Sequence, residues 1–122
     1  MGGLNYFSIH PGDTSKIVSV GQERSVTYWD MRKVQPDAVI ASSPNPNESD
    51  ELFCVSISKD GRFFVTGGSL GIVRLWEYST GRCVSEQKGH SKPIACVRFS
   101  PDSKQIVSTG LDGLVLVWNV FM

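Results

Sequence analysis

The sequence predicts an all-β fold, and three observations predict it. One pattern of apolar and turn residues recurs three times within the 122 residues. Each copy consists of short β-branched and aromatic runs broken by Gly-containing turns. No helical period extends beyond a turn or so.

The three copies align without gaps over their cores. These are "IVSVGQERSVTYWDM" from Ile17, "FVTGGSLGIVRLWEY" from Phe64 and "IVSTGLDGLVLVWNV" from Ile106, with Trp29, Trp76 and Trp118 in register. The offsets between these tryptophans are 47 and 42 residues. Before each core stands an apolar run that ends in a turn: "YFSIHPGDTSK", "LFCVSISKDGR" and "IACVRFSPDSK". Asp60-Gly61, Leu70-Gly71 and Asp112-Gly113 supply residues that tolerate left-handed backbone angles in tight turns.

A period of about 40 to 45 residues carrying four short strands is the signature of a β-propeller blade. With strands a to d running outward from the axis, the first blade has a at Tyr6–Ile9, b at Ile17–Val20, c at Val26–Trp29 and d at Ala38–Ala41. The second has Phe53–Ile57, Phe63–Thr66, Val73–Trp76 and Cys83–Glu86. The third has Ala95–Phe99, Gln105–Ser108 and Leu114–Val120, and lacks d. The expectation is one partial propeller over residues 1–122, with blades at about 4–42, 52–88 and 89–122 and a loop over 42–51.

Composition narrows the function classes. Twelve basic residues balance twelve acidic ones, against the basic excess of a nucleic-acid binder. No apolar run approaches the length of a membrane span. The N-terminus has neither a signal-peptide pattern nor a Ser or Thr at position 6 for myristoylation. Cys54, Cys83 and Cys96 have no metal-ligand spacing, and an odd number argues against a closed disulfide framework. They read as reduced, partly buried thiols in a cytosolic-type compartment, with Cys54 and Cys96 on different blades and apart.

These residues resemble the WD-repeat β-propeller family. The third unit carries nearly the whole family pattern: Gly89-His90, the stretch "IACVRFSPDSKQIVSTGLDG", then "VLVWN" with Asn119 where the family usually has Asp. The first carries Trp29-Asp30 itself. The resemblance implies a structural tetrad of His90, Ser108, Asp112 and Trp118, with Asp112 accepting from His90 and His90 bonded to Ser108 and Trp118. The second unit keeps Thr66 and Trp76, with Leu70 in the Asp place and Glu48 near the His place; the first keeps Ser19 and Trp29, with Glu23 in the Asp place.

Candidate chemistry is sparse. His90, Asp112 and Ser108 could be read as an acid, base and nucleophile, but the structural tetrad accounts for the same residues, and there is no G-x-S-x-G elbow, P-loop or dinucleotide turn. His10 is a lone turn histidine, better read as solvated than as a metal ligand. Trp29, Asp30 and Arg32 match the W-D-x-R box through which substrate receptors of cullin ubiquitin ligases dock on their adaptor; an exposed loop Arg is the plainer reading. "ASSPNPNESDE", with two prolines and acidic Glu48, Asp50 and Glu51, reads as an exposed loop on one rim. Tyr28, Tyr78, Arg24, Arg62 and Arg74 are rim residues of types that anchor interfaces.

The expected function is a non-enzymatic scaffold or protein-interaction module without cofactor or metal, binding neither nucleic acid nor membrane. The resemblance is finer towards a ciliary branch of the family. It implies a cytoskeletal place in the axonemal doublet microtubules of motile cilia or flagella, with tubulin and other axonemal proteins as partners. The alternative is the ligase-receptor reading. Strand c of the third blade, with Leu114, Leu116, Trp118 and Val120, is expected to present an unpaired partner edge, because three blades do not close a ring. A chain or chain segment from elsewhere is then expected to complete the propeller.

Overall fold

The computed structural model describes residues 6–20, 25–33, 38–41, 43, 45 and 50–120. Among them, three antiparallel sheets follow one another along the chain. The first holds β1 (Tyr6–Ile9), β2 (Lys16–Val20), β3 (Ser25–Asp30) and β4 (Ala38–Ala41). The second holds β5 (Leu52–Ile57), β6 (Phe63–Gly68), β7 (Ile72–Glu77) and β8 (Cys83–Lys88). The third holds β9 (Ile94–Phe99), β10 (Gln105–Gly110) and β11 (Val115–Asn119). Every strand pairs with its sequence neighbour, as hairpin connections require.

Period-two alternation gives each strand two faces, and the sheets stack through them. Between the first and second sheets Val18, Val20 and Val26 meet Phe64 and Trp76. Between the second and third, Val65, Val73 and Leu75 meet Ile94, Val97 and Ile106, with Trp118 and Val120 packed against them. The middle sheet is thus buried on both faces, and β6 is buried at every residue. The tryptophan of the second sheet faces the first sheet, and that of the third faces the second.

Two expectations change here. Leu114 lies outside β11, because its N–H is bonded to Asp112 Oδ1 and its carbonyl to the Gly110 N–H, which holds it in the hairpin turn. The loop over 42–51 is not exposed throughout: Ser43 and Asp50 are buried, and Asp50 returns into the second sheet. Residues 42, 44 and 46–49 of that loop lie outside the described residues, as do Glu23 and Arg24.

Candidate functional site

The polar residues of the third sheet form one chain of hydrogen bonds. Trp118 Nε1–H donates to Ser108 Oγ at 2.9 Å. Ser108 Oγ lies 2.8 Å from His90 Nε2, and His90 Nδ1 lies 3.1 Å from Asp112 Oδ1. With Trp118 donating to it, Ser108 directs its own hydrogen to Nε2, and Nδ1–H goes to the carboxylate; a neutral imidazole then uses every hydrogen once. The indole therefore bonds Ser108 rather than His90, because β10 and β11 place Ser108 between the two rings. Asp112 also accepts the Ser91 and Leu114 N–H groups. Burial works to raise its pKa, but the His90 and backbone hydrogen bonds outweigh it and hold the carboxyl at about 2. Gly110 leaves the room this arrangement needs, since a Cβ there would run into His90 Nδ1 and Asp112 Oδ1.

This group is closed to outside chemistry. Ser108 is fully buried, its oxygen accepts the indole N–H, and its hydrogen is committed to His90. A nucleophile needs a path to substrate, and the fully buried Ser108 has none.

The second sheet solves the same problem with other residues. Trp76 Nε1–H donates to Thr66 Oγ1 at 3.0 Å. Where the third sheet has a histidine, Asp50 enters: a Cβ on Gly68, the counterpart of Gly110, would meet Asp50 Oδ1. Asp50 accepts from Ser69 Oγ and the Leu70 N–H through Oδ1, and from Arg74 Nη1 at 2.6 Å through Oδ2. Both side chains are fully buried, and Arg74 Nε reaches the half-exposed Glu86 at 3.0 Å. Arg74 is therefore no rim residue. Period two puts it on the same face as Trp76, turned inward, and that was the sequence feature that could have revealed it. In the first sheet Trp29 Nε1–H donates to Ser19 Oγ at 2.7 Å.

A family model described as WD domain, G-beta repeat matches residues 40–77 and 81–119. The chain belongs to the WD40 repeat family. Cilia- and flagella-associated protein 52 of Chlamydomonas reinhardtii is 36% identical over 85 residues, covering 70% of this chain and 13% of its own length. The human protein of the same name is 31% identical over the same share of the chain. Autophagy-related protein 16 of Arabidopsis thaliana is 32% identical over 78 residues, 64% of this chain and 14% of its own. The chain thus spans about one eighth of the length of these relatives. Among solved structures, the RRP9 WD40 repeats superpose with a TM-score of 0.85 at 26% identity, over 94% of this chain and 34% of theirs.

The remaining candidates take their places on this WD40 framework. Asp30 is buried, and Arg32 grips it through Nε at 3.0 Å and Nη2 at 2.8 Å, with Lys16 Nζ at 3.1 Å. These bonds hold the Asp30 carboxyl far below the usual carboxylate range. Asp30 and Arg32 thus act within the turn after β3, while the Arg32 side chain keeps two thirds of its surface in solvent. His10 is half-buried rather than solvated: Nδ1 accepts the Gly12 N–H, Nε2–H donates to the Gly61 carbonyl at 3.2 Å, and the ring lies edge-on to Tyr78. Tyr28 stacks on Tyr78 at 5.0 Å and donates to its carbonyl, so both lie in the contact between the first two sheets.

Cys54 and Cys96 lie on different sheets, in β5 and β9, and both are free thiols. Burial, and then the Cys96 thiol, push the Cys54 thiol up to about 12, since β5 and β9 run side by side. Among the described residues β11 has no strand on its outer side. A cleft of about 560 Å³ opens there, lined by Val73, Leu75, Val84, Val117, Trp118 and Val120. Trp118 and Val120 pack inward on the second sheet, and Leu116 is half-buried, so the exposed side chains of the strand are Val115, Val117 and Asn119.

Proposed function

We propose that this chain is part of a non-enzymatic WD40 scaffold in the axoneme of motile cilia or flagella. There it holds protein partners against the doublet microtubule, tubulin and other axonemal proteins among them. The observation that carries this reading is the identity to Cilia- and flagella-associated protein 52 over 70% of the chain, in species as distant as an alga and human. The closed tetrad supports a structural rather than catalytic use of His90, Ser108 and Asp112. The three sheets serve as successive blades, about 4–42, 52–88 and 89–122. A chain or chain segment from elsewhere completes the third blade, its strand pairing along β11 in the cleft beside β8.

The test is fractionation of cilia from cells that express the tagged full-length protein. It is expected to stay with the axoneme after detergent and high-salt extraction. Release with the soluble matrix, or absence from cilia, would overturn the ciliary reading.

A further inference from the structure

We draw no further inference here: the strongest candidate, the cleft of about 400 Å³ between the first and second sheets lined by His10, Arg62, Glu77, Tyr78 and Ser79, carries nothing, because His10 is bonded to Gly12 and Gly61, the Arg62 guanidinium lies over the Phe63 ring, the Glu77 carboxylate accepts from Thr80, and nothing in the structure shows what would occupy it.

Discussion

Ser108 is asked to do two things at once, and Thr66 only one. Ser108 Oγ accepts from Trp118 and completes His90, whereas Thr66 Oγ1 has Trp76 as its partner while Asp50 and Arg74 occupy the neighbouring space. Removing a hydroxyl costs most when it strands buried partners. Ser108→Ala is therefore expected to lose about 2–3 kcal/mol in urea unfolding, and Thr66→Val about 1 kcal/mol; equal losses would break the account of a connected chain. The Asp50–Arg74 pair is sharper still. With both side chains fully buried, Asp50→Ala removes the 2.6 Å partner of the Arg74 charge, and a loss of about 3–5 kcal/mol is expected. Asp112 adds a pH dependence. Its folded pKa of about 2 lies below the unfolded value of about 4, so its contribution is complete above pH ~4 and disappears as pH falls towards 2. Between those limits Asp112→Asn should lose stability less steeply than wild type, the slope that remains coming from Asp13, Asp30, Asp60 and Asp102, which are also depressed. Parallel pH profiles would remove Asp112 from the account.

At the scale of elements, the turns before β6 and β10 share one device. Ser58 Oγ–H donates to Asp60 Oδ1, Asp60 accepts the Arg62 N–H, and Ser58 accepts the Phe63 N–H. Ser100, Asp102, Lys104 and Gln105 repeat it. The next position is left-handed in both, Gly61 at φ 74° and Ser103 at φ 59°. Ser103 is offset by its bond from the Lys59 N–H at 2.7 Å. At Gly61 a Cβ would lie 2.5 Å from the His10 ring. Gly61→Ser is thus expected to destabilise by about 1–3 kcal/mol, and by distinctly less when His10 is already Ala; the same loss in both backgrounds would dismiss the clash. Such features separate what was legible from what was not. "SKDG" and "SPDS" are local chemistry, and they marked their turns directly. Strands showed through "IVS", "FVT" and the in-register tryptophans, and that register brings Ser108 opposite Leu116, beside Trp118. Arg74 did not show, because its acid comes from 24 residues away in a loop whose polar residues look solvated. Nor did His10, whose partner Gly61 lies 51 residues on. The inward packing of Trp118 and Val120 depends on which face the second sheet covers, and alternation alone does not choose a face.

Among the described residues the three sheets form a stack in which the middle sheet is covered on both sides. β6 and β10 are each bonded to a strand on either side within their own sheets. Local hydrogen bonding therefore predicts the same protection for both. Packing does not: β6 is buried at every residue, while β10 alternates, with Ile106 and Ser108 covered by the second sheet and Val107 and Thr109 on the bare side. Opening β10 exposes one apolar slab, and opening β6 exposes two, so opening the middle sheet approaches global unfolding. The slowest amides are expected in Phe63–Gly68, slower than those of Gln105–Gly110 by about tenfold or more for each 1.4 kcal/mol of additional opening free energy. Protection in β10 equal to that in β6 would mean that stability resides in each sheet's own hairpins rather than between sheets.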